Sequence, residues 1–211
     1  MYLSALTIDT SDRRGRTWLA NPYRVHQRLL MAFPDGDAGR VLFRVDADRR
    51  PPRILVQSPS KPDWLRCFHD HPVLAQPPQS KELPLAFRLG QRLHFLLRSN
   101  PTVRRVFPDA RSADPAKRSG KRIGVYGEDA QSNWLANKGE QAGFRVVACR
   151  AADCGFQFSR KADREAPIRH LCVDFKGILE VTEPDRFLVA LQAGIGSGKG
   201  FGFGLLSIAP A

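Results

Sequence analysis

Residues 21–33 read NPYRVHQRLLMAF and carry the clearest helical pattern in the first half of the chain. Asn21 is a good N-cap, and Pro22 suits the first helical position, where no hydrogen bond needs its missing N–H. The apolar residues that follow at helical spacing are Val25, Leu29, Ala32 and Phe33. They predict a helix with one buried face, and Pro34-Asp35-Gly36 is expected to end it.

Strand patterns surround this helix. The predicted order is a strand at 2–9, a polar basic loop at 11–16, the helix, strands at 41–45 and 53–57, a short helix at 63–68 and an irregular strand at 73–76. Alternation of polar and apolar residues carries the strand predictions. The first half therefore has the order β-α-β-β-α-β, which is typical of a ferredoxin-like domain.

The second half repeats this order without repeating the sequence. It is predicted to contain a strand at 92–98, a basic connection at 99–122, a helix at 128–142, a strand at 144–149, a hairpin at 156–169, a strand at 171–181, a helix at 184–193 and a strand at 203–208. We therefore predict an α+β fold of tandem ferredoxin-like (RRM-like) domains with antiparallel sheets, at residues 1–88 and 89–211.

The charge balance indicates a polyanionic partner. The chain of 211 residues has 33 Lys and Arg against 21 Asp and Glu, a net charge of +12 and a pI near 10.2. Nucleic acid is the leading partner on this ground. A membrane is disfavoured, because no segment has the roughly 20 apolar residues of a spanning helix and no basic helix has a wide apolar face.

The N-terminus and the cysteines predict the compartment. Residues 1–10 indicate a strand rather than a signal peptide, because they lack a basic start and a long apolar run. The four cysteines are Cys67, Cys149, Cys154 and Cys172. Their spacing fits no disulfide framework, so we expect reduced thiols in the core of a cytoplasmic protein.

Tyr23 and His26 are the candidate catalytic residues of the first helix. RNA cleavage without a metal needs a group that deprotonates or orients a 2′-hydroxyl, a group that protonates the leaving oxygen, and a cation near the phosphate. Histidine suits proton transfer because its reference pKa is about 6.5. At about 100° per residue, Tyr23 lies roughly 60° from His26, so both can face one groove. The alternative is a half-buried tyrosine and a solvated histidine without a chemical role.

No metal site or cofactor is predicted. The residues with the chemistry for zinc are Cys149, Cys154, His170 and Cys172. Their spacing matches no common zinc motif, and no carboxylate cluster offers the converging oxygens that magnesium needs. Metal-free chemistry is therefore favoured. The remaining histidines, which are expected to be structural or solvated, are His69, His71 and His94.

The glycine-rich run at 193–200 reads AGIGSGKG. It is similar to a nucleotide-binding phosphate loop, but Gly200 stands where a Ser or Thr would hold magnesium, and the run follows a helix instead of opening one. It can still bring its backbone close to a phosphate at Gly196, Gly198 and Gly200, with the charge of Lys199 beside them. The alternative is a flexible loop without a ligand.

Two basic segments are candidate RNA contacts. The cations of the first are Arg98, Arg104, Arg105, Arg111, Lys117, Arg118, Lys121 and Arg122. Those of the predicted hairpin are Arg160, Lys161, Arg164 and Arg169. The residues selected as RNA-binding candidates are Arg98, Lys121, Arg122, Arg160, Lys161 and Arg164. Side chains in a hairpin can reach an RNA groove or its phosphates, although a charge run is more often a solvated face.

Four of these motifs together resemble a known family. They are Met1-Tyr2-Leu3-Ser4, Asn21-Pro22-Tyr23-Arg24-Val25-His26, Leu97-Arg98-Ser99-Asn100-Pro101 and GIGSGKGFGFGLLS at 194–207. In order and spacing they resemble the CasE subunits of type I-E CRISPR Cascade complexes, the endoribonucleases that process CRISPR precursor RNA. The resemblance spans nearly the whole chain.

The resemblance implies metal-independent cleavage at the 3′ base of the repeat stem-loop, giving a 2′,3′-cyclic phosphate or 3′-phosphate and a 5′-hydroxyl. Tyr23 and His26 match the family's catalytic tyrosine and histidine, and we assign proton transfer to His26 and the 2′-hydroxyl to Tyr23. Arg160 and Lys161 correspond to the family's hairpin cations, whereas Gln27 stands where a further cation would help. The implied partners are the repeat RNA, retained as crRNA, and the other Cascade subunits.

Two other functions stay open from the residues alone. A non-catalytic RNA-hairpin-binding protein of the same fold would bind the stem-loop and never cut it. A ribosomal or DNA-binding basic protein would not prefer the hairpin over duplex DNA, since phosphate contacts carry no sequence information.

Overall fold

Two four-stranded antiparallel sheets form the framework. The computed structural model describes residues 1–33, 38–105, 120–161 and 166–211. The first half comprises β1 (Tyr2–Thr7), α1 (Arg13–Leu19), α2 (Pro22–Leu30), β2 (Leu42–Asp46), β3 (Arg53–Ser58), α3 (Trp64–Phe68) and β4 (Gln79–Glu82). The second comprises β5 (Arg92–Ser99), β6 (Thr102–Arg105), β7 (Lys121–Gly124), α4 (Glu128–Gln141), β8 (Phe144–Ser159), β9 (Ile168–Val181), α5 (Pro184–Ala193), a 3₁₀ turn (Lys199–Phe201) and β10 (Leu206–Pro210). None of the helices within the described ranges is long and apolar enough to cross a lipid bilayer.

The first sheet has the order β2-β3-β1-β4. Helix α2 shares its core through Val25 and Leu29, which are fully buried together with Leu6 of β1 and Ile54 of β3. Asn21 caps this helix, as predicted. Burial of one face fixes the rotation of the helix, and therefore the direction in which its half-buried residues point.

The second sheet has the order β10-β5-β9-β8, and β6 and β7 form a separate hairpin. Without that hairpin, the strands of both halves pair alike: the fourth with the first, the first with the third and the third with the second. The second core joins Leu97 and Phe175 of the sheet to Leu135 of α4 and Phe187 of α5. The repeated order confirms the predicted α+β fold of tandem ferredoxin-like domains.

The two sheets are connected between Glu82 and Arg92, and we propose the domain boundary there, close to residue 88. Phe87 packs on the second core, with its ring centroid 4.7 Å from that of Phe187. Most of the connection therefore packs with the second domain.

Buried polar contacts hold the two sheets together. Arg44 of β2, which is 4% exposed, donates to Asp46 and, across the interface, to the Oγ of Ser207, both at 2.8 Å. Gln57 donates through Nε2 to the carbonyl of Leu191 at 2.9 Å. Because buried polar groups are costly without partners, these bonds favour one relative position of the sheets.

Two local predictions in the first half are wrong. Most of the loop predicted at 11–16 belongs to helix α1, which Asp12 caps and the buried Trp18 anchors in the core. Because Arg13, Arg14 and Arg16 make this segment polar, the sequence pattern did not indicate that Trp18 is buried. The strand predicted at 73–76 is reduced to an isolated bridge at Leu74. The pairing strand is β4, whose side chains are all exposed, so no apolar alternation marks it.

The second half differs in the length of its hairpin. The strand predicted at 144–149 and the hairpin predicted at 156–169 belong to one long β8–β9 hairpin, with a bulge between Asp153 and Phe156. The bulge breaks the alternation, which made one strand look like two. The last strand begins at Leu206 rather than 203.

Three predictions fall outside the described residues. They are the Pro34-Asp35-Gly36 stop, the central cations of the 99–122 connection and Arg164. The predicted extent of the helix is wrong, because α2 ends at Leu30 with Met31 as its C-cap. The prediction of four core cysteines is only partly correct, because Cys67 and Cys172 are buried, Cys149 is half-buried and Cys154 is exposed. All four are free thiols.

Candidate active site

Asn21 joins the start of α2 to the end of β8. Its Oδ1 accepts from the N–H of Tyr23 at 3.3 Å and from that of Arg160 at 3.3 Å, and its Nδ2 donates to the carbonyl of Arg160 at 2.9 Å. The residue predicted as a helix cap therefore also holds the end of the hairpin beside the helix. No local pattern announces this second role, because Arg160 lies 139 positions away in the chain.

Tyr23 lies where three segments of the chain meet. Its ring stacks on that of Phe201, with centroids 5.9 Å apart and planes 30° apart. The Nζ of Lys161 lies 4.7 Å from the centre of the same ring, within range of a cation–π contact. Helix α2, the 3₁₀ turn and the hairpin end thus surround one half-buried tyrosine.

His26 faces the same 3₁₀ turn. Its ring is stacked on Phe43 at 6.1 Å, with the planes 11° apart. On another side lies Gly200, where an added Cβ would be 3.2 Å from Cδ2 and 3.3 Å from Nε2 of the imidazole. The structure therefore brings Tyr23 and His26 to one turn of the glycine-rich loop, as the helical spacing allowed.

The surroundings of His26 favour its neutral form. Burial lowers the pKa of the imidazole, and the positive charge of Arg40 lowers it further. Among the described residues, nothing bonds to its buried Nδ1. Because a neutral imidazole can accept a proton at neutral pH, this environment suits general base catalysis.

Positive charge is concentrated around this turn. Burial lowers the pKa of Lys199, and the charges of Arg40 and Lys138 lower it further. Arg40 acts on both His26 and Lys199, so the three lie close enough to interact. Such crowding of cations is relieved when an anion binds. Sequence reasoning missed Arg40, which belongs to no helical or strand pattern.

The glycine-rich loop is shaped for close approach. Gly198 has a φ of +78°, a left-handed conformation that glycine adopts without strain, and it opens the 3₁₀ turn. An added Cβ at Gly196 would be 2.8 Å from the Oγ of Ser99. The loop follows α5 and precedes β10, so the argument against a nucleotide loop holds.

A family model described as CRISPR associated protein matches residues 1–210. The chain belongs to this CRISPR-associated family. The endoribonuclease Cse3 of Thermus thermophilus is 33% identical to it over 225 residues, covering 100% of both chains. The Cascade subunit CasE of Escherichia coli is 28% identical over 215 residues, again covering 100% of both. A solved structure of Cse3 bound to a 19-nucleotide RNA has a TM-score of 0.82 and 34% identity, covering 100% of both chains. The predicted resemblance to CasE is thereby confirmed.

Three of the predicted RNA-binding cations of this CRISPR-associated protein, namely Arg122, Arg160 and Lys161, lie near the loop or the candidate catalytic pair. Arg160 is exposed beside Asn21, and Lys161 contacts Tyr23. Lys121 and Arg122 are exposed on β7, where Arg122 borders a cleft shared with the glycine-rich loop. Their contact with RNA stays a prediction.

Arg98, another predicted RNA contact, forms an ion pair within the protein. Its Nε and Nη2 donate to the two carboxylate oxygens of Asp174, each at 2.8 Å, and its Nη1 donates to the carbonyl of Val45 at 2.8 Å. Hydrogen bonding to Asp174 raises the pKa of Arg98. The ion pair and the interdomain bond use three of its five N–H donors, so Arg98 has a structural role, and its contact with RNA stays a prediction.

Two thiols near this ion pair, those of Cys154 and Cys172, belong to the set of residues that the sequence offered as possible zinc ligands, but the set is not assembled as a whole. Ligand atoms of Cys154, Cys172 and Asp174 lie within 4.8 Å of one another, whereas Cys149 is not part of the group. Burial raises the pKa of Cys172 to about 12, and Arg98 already binds the carboxylate. A protonated thiol and an occupied carboxylate are poor ligands, since zinc binds thiolates.

Stability is expected to fall as the pH drops from about 7 towards 5.5, because burial lowers the pKa of both His26 and His170. The pKa of a histidine in the unfolded chain is about 6.5. Above this pH the two histidines are neutral in both the folded and the unfolded protein, so they no longer make stability depend on pH. Below this pH the unfolded chain binds protons that the folded chain resists. Melting curves should give a smaller fall in Tm for the His26→Gln, His170→Gln double variant. An unchanged pH dependence would contradict the burial argument.

Replacement of Asn21 by alanine is expected to lower the free energy of unfolding by about 1 kcal/mol, the usual cost of a lost N-cap. It should also speed amide hydrogen exchange at Arg160 and Lys161, because the bonds from Asn21 to the hairpin are lost. The matched control is Asp12→Ala, which removes the cap of α1. Equal exchange at Arg160 in both variants would show that Asn21 does not hold the hairpin.

Proposed function

We propose that the chain is an endoribonuclease that cuts CRISPR precursor RNA at the 3′ base of the repeat stem-loop without a metal, and retains the product as a Cascade subunit. The observation that carries this proposal is that Tyr23 and His26 both contact the 3₁₀ turn of the glycine-rich loop. The names of the relatives, endoribonuclease Cse3 and Cascade subunit CasE, support it.

In the proposed reaction, the 2′-oxygen of the ribose before the cut attacks the neighbouring phosphorus. The bond from phosphorus to the 5′-oxygen breaks, and that oxygen takes a proton from a solvent water and leaves as a 5′-hydroxyl. The proton that the enzyme has removed from the 2′-hydroxyl then returns to solvent. The other product is a 2′,3′-cyclic phosphate, which water can open to a 3′-phosphate. We assign acceptance of the 2′-hydroxyl proton to the neutral His26 and orientation of that hydroxyl to Tyr23.

The cations around the turn have a role in the same step. Negative charge develops on the phosphate oxygens as the pentavalent transition state forms, and pre-placed cations stabilise it. Arg40 and Lys199 lie on the His26 side, and Lys161 lies over Tyr23. Arg160 and Lys121 are proposed to bind phosphates of the stem, which would help to retain the product, and Arg122 is proposed to bind the RNA on the 3′ side of the cut.

Incubation of the purified protein with repeat RNA from the CRISPR array of the same genome, in chelator, tests this proposal. We expect one cut at the 3′ base of the stem, with a cyclic phosphate and a 5′-hydroxyl at the new ends. A mobility assay with the same RNA measures binding. Binding without any cut would favour the non-catalytic hairpin-binding protein, and a cut that leaves a 5′-phosphate would contradict the chemistry.

A further inference from the structure

A cleft of about 450 Å³ is lined by Phe201, the residue that stacks on Tyr23, and not by Tyr23 itself. The ring of Phe201 stacks on Tyr23 at 5.9 Å and contacts His170, whose centroid is 4.4 Å away. His170 and Phe201 both line the cleft, together with Gly198 of the glycine-rich loop. A single aromatic side chain therefore separates this cleft from the candidate catalytic tyrosine.

Aromatic rings stand exposed at the cleft. Tyr126 is 56% exposed and Phe156 is 37% exposed, although both lie in the lining. The ring of Tyr126 lies over Gly124, where an added Cβ would be 3.0 Å from it, so a larger residue there would displace the tyrosine. Rings held in this way are pre-organised to stack on a planar ligand.

The charged groups of the cleft are all positive among the described residues that line it. Arg122 borders it, and the guanidinium carbon of Arg169 lies 3.5 Å from the ring centre of Phe156. Polar groups come from Thr102 and Ser197, whose hydroxyl oxygens are 3.2 Å apart. Aromatic faces, two guanidinium groups and hydrogen-bonding side chains are the combination that binds unstacked nucleotides.

We propose that this cleft holds the unpaired nucleotide on the 3′ side of the cut, with its base against Tyr126 and Phe156 and the next phosphate, on its 3′ side, near Arg122 and Arg169. This inference rests on the proposed function. A cut at the 3′ base of the stem has a paired nucleotide before it, so the nucleotide free to leave the stack lies after it. A volume of about 450 Å³ has room for one nucleotide.

The cleft is expected to bind only uncut RNA, whereas the rest of the RNA-binding surface also holds the product. The nucleotide after the cut belongs to the fragment that leaves, so the cleft contributes to binding of the uncut RNA and not to retention of the product. Loss of its aromatic rings should therefore weaken substrate binding selectively.

The test compares two RNAs, one that extends beyond the cut and one that ends at it. A 2′-deoxy nucleotide before the cut keeps the longer RNA intact. Tyr126→Ala and Phe156→Ala are each expected to weaken binding of the longer RNA by about 5-fold or more, the effect of one lost base stack. Both variants should bind the shorter RNA like the unmodified protein. The matched control is Leu89→Ala, an exposed residue outside the cleft.

A second experiment uses an RNA with an abasic nucleotide after the cut. Because the change is in the RNA and the protein is unmodified, no folding defect can affect the result. The unmodified protein should bind this RNA at least as weakly as Tyr126→Ala binds the intact RNA, and Tyr126→Ala should add no further loss on the abasic RNA. Full affinity for the abasic RNA would overturn the proposal, as would an equal loss for the shorter RNA. A Tyr126→Ala variant that binds RNA normally but loses a protein subunit would instead make the cleft a protein-docking site. If the unmodified protein cuts no RNA at all, the proposed function fails independently of these affinities.

Discussion

Replacement of His26 by alanine is expected to slow cutting of the repeat stem-loop by about 100-fold or more, the usual contribution of one proton-transfer group. Binding should change little, because the imidazole is stacked on Phe43 and half-buried behind Gly200 rather than exposed as a charge. Single-turnover rates and a mobility assay measure the two quantities separately.

The matched control for this variant is His94→Ala. His94 is an exposed histidine on β5, away from the glycine-rich loop, and its loss should leave the rate unchanged. Undiminished cutting by His26→Ala would remove His26 from the mechanism. A parallel loss of binding would show instead that its role is to hold the RNA.

A side chain at Gly200 is expected to reduce cutting almost as strongly. A Cβ there would lie 3.2 Å from Cδ2 of His26, so the ring or the loop must move. A displacement of about 1 Å in a reacting group can cost on the order of 100-fold in rate. Gly200→Val should therefore lose most of the activity, and Gly200→Ala should lose less, because a single methyl requires a smaller shift.

The activities of these two variants, compared with their melting temperatures, distinguish a displaced His26 from a folding defect. Melting temperatures close to that of the unmodified protein are expected for both, because Gly200 is only half-buried and lies outside both hydrophobic cores. Equal activity in Gly200→Ala, Gly200→Val and the unmodified protein would mean that the approach of the loop to His26 is unimportant. A lowered Tm in step with the lost activity would indicate a folding defect.

The part of the site that could be predicted is the part encoded locally. Asn21 and Pro22 start a helix by their own chemistry, and Val25 and Leu29 fix its buried face. Once that face is fixed, the angle between Tyr23 and His26 follows from helical geometry. The tandem fold is likewise accessible from the sequence, because most of its strands carry their own alternation.

The parts that could not be predicted depend on contacts between distant segments. The sequence groups Arg98 with the free cations, because nothing near it in the chain reveals Asp174, which lies 76 positions away. Arg40 acquires its role only when the start of β2 packs beside the loop around Lys199. Strand β4 has no buried side chain, so its pairing with β1 leaves no mark in the residues themselves.

Cutting of a repeat RNA with a 2′-deoxy nucleotide immediately before the scissile phosphate is the most direct test of the proposed chemistry. The protein should bind this RNA like the all-ribose RNA and leave that phosphate uncut, in chelator, while it cuts the all-ribose RNA at the expected position. Cutting of the modified RNA at that phosphate would contradict attack by the 2′-hydroxyl, and with it the roles proposed for Tyr23 and His26.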